Sequence, residues 1–117
     1  MLIPLQPYQA AWREDFARFA QALRECFGDD AIRIDHVGST AVDGLAAKPV
    51  IDIQVTVSSL SVVTSHVGPM SAAGFAHKPE NSVDRAPPWE VDTPDEWRKA
   101  YFKSGESSHP RAQVHVR

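Results

Sequence analysis

Residues 32–55 read IRIDHVGSTAVDGLAAKPVIDIQV, and the way this stretch folds decides how the rest of the chain can be arranged. Two strand-like runs, IRIDHVG and VIDIQVTV, flank a segment of mostly small residues, STAVDGLAAK. Side chains alternate across a strand. In the second run Ile51, Ile53, Val55 and Val57 share one face, which must meet a core. Val50, Asp52, Gln54 and Thr56 share the other. Aspartate is disfavoured at a strand centre, and a covered carboxylate needs partners or a metal to offset its desolvation. Asp52 is therefore either a solvated residue on a wet sheet face or part of a site.

Working outward, PYQAAWREDFARFAQALRECFGDD (7–30) predicts a helix. Trp12, Phe16, Phe19, Leu23 and Phe27 recur at steps of three and four and make one apolar stripe. Pro7 suits its entry and Gly28 its stop. SLSVVTSHVGPMSAAG (59–74) predicts further helix, weakened around Gly68 and Pro69, and FAHK (75–78) a short strand. PENSVDRAPPWEVDTPDE (79–96) has the composition of a loop. WRKAYFKSG and RAQVHVR, joined through SGESSHP, read as a hairpin. The order is helix, strand, short helix, strand, helix, short strand, loop, hairpin. It predicts an α+β fold, one mixed sheet with helices packed on one face, in a single domain over 1–117.

With 117 residues, 43% hydrophobic and 23% charged, the chain suits one modest globular core. A net charge of −3 gives no reason to expect general nucleic-acid binding. The single cysteine, Cys26, cannot pair within the chain, so a cytoplasmic setting is expected. Cys26 lies beside Leu23 and Phe27 in the helical pattern and reads as a packing thiol. No apolar run approaches the ~20 residues of a membrane span, and the first residues lack the pattern of a secretory signal.

Other strands can add polar groups to the Asp52 face. In the last one Ala112, Val114 and Val116 alternate with Gln113, His115 and Arg117. In the preceding one Ala100 and Phe102 alternate with Lys99, Tyr101 and Lys103. A cleft there could hold Asp52, Gln54, Gln113, His115 and a lysine. At the end of the first strand, Gly38 lets the backbone approach a ligand closely, and Ser39 can cap a turn or donate to a phosphate oxygen. An ordinary strand-to-helix turn, with Ser39 or Thr40 as cap, explains the same residues. Lys48 is the only cation between the two strands.

Taken together, HVGSTAVDGLAAKPVIDIQV resembles the signature of the GrpB family, which belongs to the nucleotidyltransferase-fold superfamily. His36, Gly38, Ser39 and Thr40, then Gly44 and Leu45, Lys48 and Pro49, and Asp52 stand where the family has them. PYQAAWREDF resembles the family's opening, through Tyr8, Trp12 and Phe16. YFKSGESSHPRAQVHVR resembles its last strands, through Phe102, Arg111, His115 and Val116. Members usually continue into a helical segment where this chain stops at Arg117, which predicts exposed apolar surface and a homo-oligomer.

The resemblance implies a nucleotidyltransferase-like mixed sheet and a ligand that is a nucleotide or another phosphorylated small molecule. In the superfamily a Gly-Ser turn grips phosphates and a pair of carboxylates two apart on a strand holds divalent metal. The implied catalytic and metal-binding residue is Asp52, with Mg²⁺ as cofactor. Substrate binding falls to His36, Gly38, Ser39, Thr40, Lys48, Gln54, Lys103, Arg111 and His115. Gln54 stands where the second carboxylate belongs, and His115 where a third acid would be. Asp35, Asp43 and the loop acids Asp84, Glu90 and Asp92 are the substitutes to consider. Three functions compete: magnesium-dependent nucleotidyl transfer, a binding module without catalysis, and a metal or hydrolytic site of His36, His115 and Asp52.

Overall fold

Trp12, Leu23 and Phe27 are buried along one side of helix α1 (Ala11–Phe27), and Phe16 and Phe19 pack partly against the same core. The expected stripe is thus the docking face, and each buried large side chain contributes about 1.5–3 kcal/mol. The computed structural model describes residues 5–79, 99–105 and 110–117. Gly28, at φ 56°, ends α1 and returns its N–H to the Arg24 carbonyl. The start differs from expectation: the helix begins at Ala11, not near Pro7. Gln6 exchanges two backbone hydrogen bonds with Ala47, of 2.8 and 2.9 Å, and this bridge holds the entry segment extended.

Strand β1 (Arg33–Val37) leads through Gly38 into a 3₁₀ turn at Ser39–Ala41, and β2 spans Val50–Thr56. Leu60–His66 forms a 3₁₀ segment that runs into helix α2 (Val67–Ala72). The 59–74 region is therefore helical in two pieces; Pro69 falls in the first turn of α2, where its missing N–H costs nothing. Strands β3 (Phe75–His77), β4 (Ala100–Ser104) and β5 (Arg111–Val116) complete the sheet. All but the first residue of the expected loop 79–96 lies outside the described residues, with Asp84, Glu90 and Asp92; so do 106–109 of the hairpin turn.

The strand order is β1-β2-β5-β4-β3, with β2 and β5 parallel and the other neighbours antiparallel. The sheet is mixed and the fold α+β, as the element order predicts. Ile51, Ile53 and Val55 of β2, Phe102 of β4, and Val114 and Val116 of β5 are wholly buried beneath the helices, with Met70 of α2. Among the described residues no helix is long and apolar enough to cross a membrane.

Candidate functional site

The sheet face away from the helices gathers the polar side chains. Register places Asp52 between Val37 of β1 and Gln113 of β5, and Gln54 between Asp35 and His115. Tyr101 of β4 lies opposite His115, and Lys103 opposite Gln113. The alternation of β2 and β5 was legible in the sequence, and it holds here.

Gly38 turns the chain at the rim of this face with φ 75° and ψ −167°, a region that side chains other than hydrogen rarely adopt. Its backbone lies against the carboxylate: a β-carbon there would come within 2.7 Å of Asp52 Oδ2. Beside it opens a cleft of about 440 Å³, lined by Ser39, Lys48, Asp52 and Gln113 on its polar side. Leu5, Ala46 and Ala47 supply apolar lining that sequence reasoning had not included, and Val50, expected on the Asp52 face, joins them. Ala47 enters because it pairs with Gln6, the contact that also brings Leu5 to the rim.

Beyond Asp52 stands His115, with Nε2 3.7 Å from Asp52 Oδ1. Tyr101 stacks on its ring, with centroids 5.1 Å apart and planes at 15°. The lysine that touches His115 is Lys99, whose Nζ is 2.9 Å from Nδ1. Burial lowers the Lys99 ammonium below its ordinary value against the opposing pull of the Asp52 charge. Burial, and then the same charge, push the Tyr101 hydroxyl up. Lys103 is exposed and lies over the Tyr101 ring at 6.0 Å. Arg111 is exposed at the start of β5, in register with Val50.

Two residues of the sequence-predicted set sit elsewhere. His36 is in register with Ile53, so it projects from the helix side of the sheet, not the Asp52 side. Its ring stacks on Phe16 at 4.9 Å and 10°, and Nε2 lies 2.9 Å from the Thr40 hydroxyl. Thr40, 1% exposed, donates that hydroxyl to the Val50 carbonyl at 3.2 Å. With its proton spent there, Thr40 accepts from His36 Nε2–H. Burial holds His36 below the ordinary histidine value, against the pull of Asp52, so a neutral ring fits. This pair ties β1, the turn and the start of β2 together. A joint site of His36, His115 and Asp52 is not formed, because the sheet lies between them.

Neither Ser39 nor Thr40 caps the 3₁₀ turn with its side chain. Asp35 shares the Asp52 face, next to Gln54, and is paired with Arg33 at 3.0 Å. Asp43 accepts from the Tyr8 hydroxyl at 3.2 Å and pairs with Arg13, which holds its carboxyl below the ordinary value. It anchors the 42–48 loop to α1. Among the described residues no group of three His, Cys, Asp or Glu side chains is placed to hold a metal ion.

The model of the family described as GrpB protein matches residues 2–117. The chain belongs to the GrpB family. It is similar to a crystal structure of the conserved protein GrpB from Enterococcus faecalis, with a TM-score of 0.77 and 27% identity over 97% of this chain and 60% of that one. A UPF0157 protein of Streptomyces coelicolor, SCO7215, is 34% identical over 73% of this chain and 47% of its own length. A protein of Mycolicibacterium paratuberculosis named dephospho-CoA kinase is 35% identical over 98% of this chain. The chain spans only 31% of that kinase's length.

Proposed function

We propose that the Gly38–Asp52 cleft binds a nucleotide or another phosphorylated small molecule, assisted by Mg²⁺, and that this chain alone carries out little nucleotidyl transfer. The observation that carries this reading is a cleft whose lining, among the described residues, brings together the cation Lys48, the hydroxyl of Ser39 and the carboxylate Asp52. Lys48 and Ser39 suit phosphate oxygens. The apolar wall of Leu5, Ala46, Ala47 and Val50 suits the organic part of such a ligand, as most small-molecule sites do. Lys103 and Arg111, exposed beside the cleft, add positive charge at its approach.

A magnesium ion keeps several waters and needs one or two carboxylates together with substrate phosphates. Asp52, with ligand phosphates, fits that donor set, and the ion would supply neutralisation of phosphate charge. A two-metal arrangement fits poorly, since Gln54 is neutral and Asp35 is held by Arg33. The kinase name of some relatives is compatible with a nucleotide-related ligand. Phosphoryl transfer by a phosphate loop is not part of the proposal, because the chain contains no G-x-x-x-x-G-K-S/T sequence.

Isothermal titration with each nucleoside triphosphate, with and without Mg²⁺, tests the reading. The expected result is a dissociation constant on the order of 0.1 mM, weakened on omission of Mg²⁺ and in Lys48→Met. Absence of binding by every nucleotide would overturn it. Robust pyrophosphate release from any of them would overturn the non-catalytic part.

A further inference from the structure

Lys99 precedes β4 and reaches across to the last strand, where its Nζ stands 2.9 Å from Nδ1 of His115. An ammonium has protons to donate and no lone pair to accept with. In that contact Nδ1 is the unprotonated nitrogen, and the ring proton of the neutral imidazole sits on Nε2. Nε2 is also the nitrogen nearest Asp52, 3.7 Å from Oδ1. Tyr101 holds the plane of the ring: it stacks on His115 at 5.1 Å and lies under the Lys99 ammonium, also at 5.1 Å.

We infer that Lys99 is a positioning residue for the cleft: it fixes His115 in the neutral Nε2–H tautomer, with the N–H turned toward Asp52. Asp52 then has a hydrogen-bond donor as its neighbour, not a lone pair. Oδ2 of the same carboxylate lies on the Gly38 side. The tautomer is a property of the free protein and is measurable whether or not any phosphorylated ligand binds.

The experiment is a long-range ¹H–¹⁵N correlation spectrum of the labelled 117-residue chain at about pH 8, above the ordinary histidine value. His115 is assigned among the five histidines by the signals lost in His115→Gln. The unmodified chain and Lys99→Arg, which also only donates, are expected to give the Nε2–H pattern. Lys99→Met should relax it to a mixture of tautomers, and Lys99→Glu should draw the proton onto Nδ1. The patterns of the other four histidines should stay as they are. An Nδ1–H pattern in the unmodified chain overturns the inference. So does a His115 pattern indifferent to both Lys99→Met and Lys99→Glu. If those two variants do not fold, the unmodified chain and Lys99→Arg still decide it, since both must show Nε2–H.

Discussion

The Gly38 backbone and the Asp52 side chain occupy adjoining space so closely that a β-carbon on Gly38 would stand 2.7 Å from Oδ2 and 3.2 Å from Cβ of Asp52. Two demands meet at this glycine. The backbone sits at φ 75°, and the carboxylate leaves no room for a methyl group. The Gly-Ser turn and the strand aspartate are therefore one structural unit, and the phase of β2 decides where the turn can lie.

Gly38→Ala should cost about 1–3 kcal/mol for the backbone conformation alone, and it should also displace the carboxylate. Gly28 is the control, because it too has positive φ, at 56°, but no atom lies within 4 Å of an added β-carbon. Gly28→Ala should lower stability by a comparable backbone term and leave nucleotide affinity intact. Gly38→Ala should lower both. Urea melts and calorimetric titration of the two variants separate these outcomes; equal affinities in the two would contradict the shared role of Gly38 and Asp52.

Thr40 makes the buried link between turn and sheet, donating to Val50 O and accepting from His36. Thr40→Val keeps the shape and strips both hydrogen bonds, the one to the Val50 carbonyl and the one from the His36 ring N–H. The expected loss is about 1–3 kcal/mol. Thr40→Ser restores the hydroxyl and should recover most of it. Chemical denaturation of the three proteins checks the order, and a Thr40→Val chain as stable as the unmodified one would remove the link.

The His36 ring gives the fold a pH dependence of definite sign. Its folded value lies below the ordinary 6.5, chiefly through burial. The unfolded chain therefore binds the proton first as pH falls, and stability rises with pH across this interval. The contribution is complete above the unfolded value and is lost as pH drops through the folded one. His36→Gln keeps an N–H for Thr40 and abolishes the titration. Between about pH 7.5 and 5, the melting temperature of the unmodified chain should fall more than that of His36→Gln. Parallel slopes would show that other groups carry the dependence.

The same histidine marks what the sequence made legible and what it did not. The stripe on α1 and the alternation of β2 and β5 could be read directly, because each has a long, regular period and one wholly apolar phase. In β1 the apolar phase is short: Ile34 and His36 share a face, and Asp35 shares the other with Val37. The family motif drew His36 toward the ligand, whereas Ile34 pointed it toward the core, and packing against Phe16 decided the matter. Lys99 was visible as a residue in phase with Tyr101 and Lys103, just ahead of β4. Its choice of His115, rather than the approach taken by Lys103, depends on strand register across 16 residues, which local pattern does not encode. Leu5 and Ala47 reach the cleft through an isolated bridge of one residue pair, too short to leave any periodic trace.

Gln54 offers the sharpest test of how this cleft relates to metal-dependent transferases. It lies two residues beyond Asp52 on the same face of β2, between Asp35 and His115. Gln54→Asp would create the paired carboxylates that Mg²⁺ prefers beside phosphate. The new charge also faces Asp35 directly across the strand pair, and like charges so placed cost roughly 0.2–1 kcal/mol. The variant should therefore melt slightly lower without metal and gain back that loss when Mg²⁺ is added. Its Mg²⁺ affinity in the presence of a nucleoside triphosphate should rise by about tenfold, equivalent to about 1.4 kcal/mol. Adding Asp52→Asn should cancel the gain, since one carboxylate then remains, as in the unmodified chain. Calorimetry of the three proteins, read with their metal-dependent melting temperatures, checks both halves. If Gln54→Asp binds Mg²⁺ no better than the unmodified chain, Asp52 and position 54 do not converge on a common ion, and the superfamily's metal chemistry has no counterpart on this face.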